Sequence, residues 1–108
     1  MNYEEIQRQI AELIAENSKG STALFEAESK LAHAEYELDT VEQKAFISAE
    51  GSVADRTAIA RLKASQSRLE RDLRRAELNR IKAKVKAIES ALIALATQAK
   101  LMQAEIRM

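Results

Sequence analysis

AEGSVADR, residues 49–56, is the stretch on whose reading the fold turns. Gly51 suits the left-handed backbone that ends a helix, Ser52 can cap the next one, and Asp55, three residues later, can return a bond to the cap as in a capping box. Residues 52–108 contain neither glycine nor proline, and the residues before the turn hold a single glycine, Gly20. Two long helices joined by a tight turn are therefore predicted: helix 1 about 2–49, a turn at 50–52 and helix 2 about 53–107, as one helical-hairpin domain over residues 1–108.

Working outward from the turn, helix 2 carries Leu78, Ile81, Val85, Ile88, Leu92, Leu95, Ala99, Met102 and Ile106, separated alternately by three and four residues. That 3.5-residue repeat is a heptad seam, which keeps one stripe turned toward a partner helix. Helix 1 has the same spacing in Tyr3, Ile6, Ile10, Leu13, Asn17, Gly20, Leu24, Ala27, Leu31, Ala34, Leu38, Val41 and Ala45. Asn2 can cap its first turn, where Glu4 and Glu5 suit the helix dipole. Neither helix can bury its stripe alone. The fold expected is all-α, a long antiparallel hairpin of coiled-coil type.

A weak point lies at Asn17-Ser18-Lys19-Gly20-Ser21-Thr22, where every residue but Lys19 is a poor or mediocre helix former and Gly20 costs about 1 kcal/mol relative to alanine. Two readings stand: a helix that passes through, with or without a kink, and a break near residues 17–21 that separates two helices. The unchanged seam phase across the gap favours passage. Asn17, on the seam, is a polar residue of the kind that fixes register or oligomeric state.

Folding the chain about Gly51 brings charged flanks together. On one flank Glu42, Glu35 and Glu28 are expected opposite Arg61, Arg68 and Arg75, and on the other Glu37, Lys30 and Glu16 opposite Lys63, Glu70 and Lys84. All six pairs are opposite in sign. Between Ile59 and Ala76, however, the apolar residues Ile59, Leu62, Leu69, Leu73 and Ala76 follow another phase, so the stripe is expected either to unwind locally or to present two faces to two neighbours.

Past Ala87 the apolar arc is wider than one partner helix covers, because Ile93, Ala94, Ala96 and Leu101 flank the seam. A homodimer or higher homo-oligomer follows, in the simplest case a dimeric four-helix bundle. Its expected self-association residues are Ile88, Leu92, Ile93, Leu95, Leu101, Met102 and Ile106, with Ile14, Phe25, Phe46 and Ile47 of helix 1 able to line the same contact.

Seventeen bases balance seventeen acids, yet residues 1–50 hold eleven acids against four bases while residues 51–108 hold six acids against thirteen bases. Such asymmetry suits either a basic surface for nucleic acid or two arms that neutralise each other. With no cysteine there is no thiolate chemistry and no disulfide. The opening MNYEEIQRQ is polar and acidic, unlike a secretory leader, and Ala87–Ala96 is too short and too interrupted to span a bilayer. A cytoplasmic protein without membrane contact is expected.

Little in the chain supports catalysis. His33, the sole histidine, lies off the seam and reads as a solvated residue. Carboxylates at helical spacing lack the Glu-x-x-His motif of di-metal bundles, and no phosphate loop, nucleophile elbow or zinc spacing occurs. No catalytic, cofactor-binding or metal-binding residue is expected, nor any cofactor. The segment from Arg56 to Lys86 is the best candidate for a ligand, because Arg61, Arg68, Arg71, Arg74, Arg75, Arg80, Lys82, Lys84 and Lys86 could track the phosphates of DNA or RNA. Against this stands the acidic helix alongside, and the absence of aromatic residues there to stack on bases. A third reading takes the row of carboxylates as a phosphate mimic that blocks a host nuclease or defence complex.

The turn AEGSVADR, followed by the alternating basic and alanine-rich stretches RTAIARLKAS and RLERDLRRAELNRIKAK, resembles small all-helical proteins of tailed bacteriophages and prophages, often encoded among early or recombination genes. The resemblance covers most of residues 28–108, and only the E-G-S-x-A-D/E-R turn is distinctive. It implies a phage origin and a bacterial host cell, and no defined activity; no functional residue carries over. The function expected is a noncatalytic helical scaffold or accessory protein acting through self-association and a protein partner, with nucleic-acid binding and inhibition of a host complex as the alternatives.

Overall fold

The computed structural model describes residues 2–107. It contains three helices and, among the described residues, no strand: α1 (Tyr3–Ser48), α2 (Val53–Lys63) and α3 (Ser65–Arg107). The chain doubles back between α1 and α2, so the fold is an all-α antiparallel hairpin whose second arm is α2 followed by α3.

Local chemistry sets the helix ends. At the start of α1, Asn2 Oδ1 accepts from the Glu5 amide at 2.8 Å and so satisfies one of the four orphan donors of the first turn. At the turn, Gly51 has φ 111°, a conformation that only glycine adopts without strain. Ser52 Oγ accepts from the Asp55 amide at 3.1 Å, while Asp55 Oδ2 accepts from the Ser52 amide at 3.4 Å, completing the expected capping box. Arg56 closes the end of α1, since its Nε and Nη2 donate to the Phe46 carbonyl at 3.2 and 3.1 Å and its guanidinium lies 4.4 Å from the centre of the Phe46 ring.

α1 runs unbroken through Asn17–Thr22, which settles the two readings of that stretch in favour of passage. The second arm departs from the single helix expected over 53–107: it is interrupted for one residue, Ala64, whose φ and ψ are −90° and 4°. Ala64 itself keeps both of its helical bonds, from its amide to the Ala60 carbonyl at 3.0 Å and from the Arg68 amide to its carbonyl at 2.9 Å. Arg68 Nη1 also donates to the carbonyl of Arg61 at 3.3 Å. The interruption falls on the buried side of the second arm, where Ala60 and Ala64 are almost wholly buried.

The described chain separates into two compact units, each with its own packing. One joins α1 up to Leu24 with α3 from Arg80 onward. There the antiparallel arms are fixed by two observations: Gln103 Nε2 donates to the Tyr3 hydroxyl, and Gly20 abuts Val85 so closely that an added Cβ would sit 3.0 Å from its Cγ2. Glycine at position 20, costly for the helix, admits the branched side chain of Val85. Ile6 and Ile88 are buried in this unit, each contributing roughly 1.5–3 kcal/mol by leaving water. Asn17 Oδ1 is buried without a hydrogen-bond partner among the described residues.

The other unit comprises Phe25–Asn79. Its core is thin, made of Ala27, Ala34, Leu38, Ala45, Ala60, Ala64 and Leu78. Here the second arm shows no phase change. Upstream of Leu78 the inward positions are Arg74, Arg71, Ser67, Ala64 and Ala60, in step with the seam that Leu78 begins, and Leu62, Leu69 and Leu73 face away.

Candidate functional site

The charged flanks come first, because they decide which cations are free. In the unit of residues 25–79, Glu42 pairs with Arg68 at 3.7 Å and Glu35 with Arg75 at 3.4 Å. Both acids thus take a partner one heptad further along than Arg61 and Arg68, the partners expected from the sequence. Helical side chains lean toward the N-terminus of their own helix, so in an antiparallel pair the acid of α1 leans away from the turn and the arginine of α3 leans toward it. They meet several residues beyond the point where their backbones are level. On the opposite flank none of the expected pairs Glu37–Lys63, Lys30–Glu70 and Glu16–Lys84 forms an ion pair among the described residues. Lys30, Glu37 and Glu70 instead line a shallow open cleft together with His33, Ala34, Tyr36 and Arg74, in which Glu70 is taken by Arg74 at 2.9 Å.

The basic row expected to contact nucleic acid therefore falls into two parts. Arg68 and Arg75 are held by α1, Arg71 by Asp72 at 2.8 Å, and Arg74 by Glu70 and by Glu77 at 3.6 Å. Arg71 and Arg74 occupy inward seam positions and are half-buried, as long side chains with an apolar stem and a charged tip can be. Arg61 is exposed. Arg80, Lys82, Lys84 and Lys86, in the other unit, are exposed and form no ion pair among the described residues. Spaced by two residues along one helix, they spread around it rather than forming a single face. His33, expected to be solvated, is exposed at the lip of the shallow cleft.

The residues expected to drive self-association also divide. Ile88, Leu92, Leu95 and Met102 are buried or half-buried on the inward seam, where they pack within the unit formed with the first part of α1. They contribute to the seam of the hairpin there. Ile93 and Leu101, off the seam, are exposed to 69% and 63%, and Ile106, expected to close the seam, is exposed to 75% at the end of α3, against that expectation. Of the helix 1 residues, Ile14, Phe25 and Ile47 are exposed while Phe46 lies half-buried under Arg56.

Leu62, Leu69 and Leu73, exposed to 76%, 52% and 56%, are the site residues that the sequence reading missed. The sequence leaves their phase open between a local unwinding and a second face, and their exposure fits the second face. The signal that identifies them is the unbroken backward extension of the Leu78 phase through Arg74 and Arg71, which assigns the inward face to less apolar residues.

No group of three or more histidines, cysteines, aspartates or glutamates able to hold a metal ion occurs among the described residues, and no helix is long and apolar enough to cross a membrane. No protein-family model, no curated protein and no solved structure matches this chain.

Proposed function

We propose that this protein is a noncatalytic helical scaffold or accessory factor that works by self-association and by contact with protein partners. The observation that carries the reading is the exposure of Leu62, Leu69 and Leu73 in the unit of residues 25–79. Large aliphatic side chains left exposed between charged flanks mark a contact surface. The likeness of the AEGSVADR turn to small phage proteins supports a phage origin and a role in the cytoplasm of a bacterial host. Sedimentation across a range of protein concentrations tests the reading. A concentration-dependent dimer or larger assembly is expected, and a monomer that also retains no protein from the native host or infected cell contradicts it.

A second reading, an accessory protein of recombination or replication that binds nucleic acid, is favoured by one observation: Arg80, Lys82, Lys84 and Lys86 are exposed and free of ion pairs among the described residues. Neutralising a few phosphates gives affinity that falls steeply with salt. Retention on single- or double-stranded DNA at low salt, lost on titration with salt and weakened by Lys82→Ala and Lys84→Ala together, is the outcome it requires. No retention at low salt removes it.

A further inference from the structure

In the unit that joins α1 up to Leu24 with α3 from Arg80, the two seams face each other and each arm turns a flank to either side. Ile14 and Ala96, the residues that follow the seam residues Leu13 and Leu95, share one of these flanks; the equivalent residues of the other unit, Glu35 and Arg75, are in contact. On this flank α1 presents Gln7, Ala11, Ile14 and Ser18, all exposed and none charged. Beside them α3 presents Glu89, Ile93, Ala96 and Lys100, also exposed. The two isoleucines are open to water at 57% and 69%. On the opposite flank α1 presents Glu5, Gln9, Glu12, Glu16 and Lys19, a row suited to water.

We infer that the flank of Ile14 and Ile93 is the self-association surface and that its occupant is the same flank of a second copy, laid antiparallel with each arm on its own counterpart, about a twofold axis that crosses both arms. This rests on the self-association proposed above and names its surface, leaving Leu62, Leu69 and Leu73 of the other unit to a different protein. Each row complements itself when read backwards. On α3, Ile93 meets Ala96 of the second copy and Glu89 meets its Lys100, and symmetry makes each contact twice. On α1, Ile14 meets Ala11 and Gln7 meets Ser18. Large side chains seat on small ones, as close packing of helices requires. One level further out Lys86 meets Gln103, so no like charges are opposed from Lys86 to Gln103.

A single axis serves both rows. The midpoint of the α1 row falls between Ala11 and Ile14, and that of the α3 row between Ile93 and Ala96. The contact of Gly20 with Val85 and the bond between Tyr3 and Gln103 set the level of one arm against the other. In that register the midpoints lie within about two residues of each other, roughly 3 Å along the helices. Laying the second arm over α1 of the second copy instead sets Ile93 on Ile14 and Ala96 on Ala11, and leaves Glu89 and Lys100 opposite the uncharged Ser18 and Gln7. Size and charge together select each arm on its counterpart.

The test is sedimentation of the full chain across a range of concentrations, with circular dichroism confirming that each variant keeps its helix content. The wild-type chain is expected to dimerise reversibly. Glu89→Lys and Lys100→Glu should each weaken the dimer about tenfold. The double reversal should recover most of that loss, because Glu89 and Lys100, too far apart on one helix to touch, meet only between copies. Ile93→Asp should weaken the dimer about a hundredfold, and Leu69→Asp should leave it unchanged. A dimer indifferent to the Glu89, Lys100 and Ile93 variants, a double reversal no tighter than either single one, or a dimer broken by Leu69→Asp overturns this surface while leaving self-association standing. A monomer at every concentration overturns both.

Discussion

The two units share one α1 and one α3 and solve the packing problem differently. Where α1 up to Leu24 meets α3 from Arg80, the inward seam of α3 holds Ile81, Val85, Ile88, Leu92 and Leu95, and the apolar residues face the partner arm. In the unit of residues 25–79 the inward seam of the second arm holds Ala60, Ala64, Ser67, Arg71 and Arg74, and its leucines face away. The difference teaches that a heptad pattern fixes where a stripe lies and not what fills it. The second unit relies on close backbone approach through alanine, on arginine stems, and on ion pairs at its rim. Its large apolar side chains are left over for something else.

The largest effect that would sharpen this contrast is expected in the aliphatic unit. Ile88→Ala, at a buried position, should cost about 2–4 kcal/mol of unfolding free energy in urea denaturation, whereas Leu69→Ala measured on the monomer should cost well under about 1 kcal/mol. Equal losses would break the assignment of inward and outward faces. In the alanine unit the sign of the size change reverses: Ala64→Leu, at a residue with 0% exposure, should destabilise by about 1–3 kcal/mol through overpacking. A neutral result would mean that the arms are further apart there than the buried alanines imply.

A smaller and opposite effect belongs to Asn17, whose Oδ1 is buried without a partner among the described residues. Asn17→Leu should stabilise the chain by about 1 kcal/mol in the same assay, with sedimentation checking for any loss of a single assembly state. Smallest of all is the rim of the second unit. Glu35→Gln, which removes the charge from a pair with both side chains about half exposed, should change stability by less than about 1 kcal/mol and should do so only at low salt.

Much of the hairpin was legible in the sequence because its signals are local or periodic. The turn could be read from Gly51, Ser52 and Asp55, whose roles depend only on neighbours a few residues away. The seam of helix 1 could be read from its spacing alone, and the positions named from Tyr3 to Ala45 are all buried or half-buried. Passage through Asn17–Thr22 followed from the unchanged phase, although the reason Gly20 is tolerated, its contact with Val85, is a matter of packing that spacing does not reveal. The partners of Glu42 and Glu35 came out one heptad short because the lean of helical side chains, and not the level of their backbones, decides which charges touch.

The candidate surface was harder to read. Leu62, Leu69 and Leu73 look like core, and Arg71 and Arg74 look like surface, if polarity alone is consulted. In a thin hairpin the long arginine side chain can lie along a seam and still reach water at its edge, so a seam position does not exclude it. The phase of the flanking seam carries more information than the polarity of any one residue. By that rule Ile88, Leu92, Leu95 and Met102 belong to the hairpin itself, and the outward face is what remains.

The inward and outward faces of the second arm are tested most directly by paired cysteines in a chain that has none of its own. Glu42→Cys combined with Arg68→Cys should form an intramolecular cross-link with a short bifunctional reagent in dilute solution, because those two side chains meet across the arms. Glu42→Cys combined with Leu69→Cys, one residue along, should react at least about tenfold more slowly, because one residue turns the side chain by roughly 100° around the helix. Fast cross-linking from position 69 and none from position 68 would contradict the account.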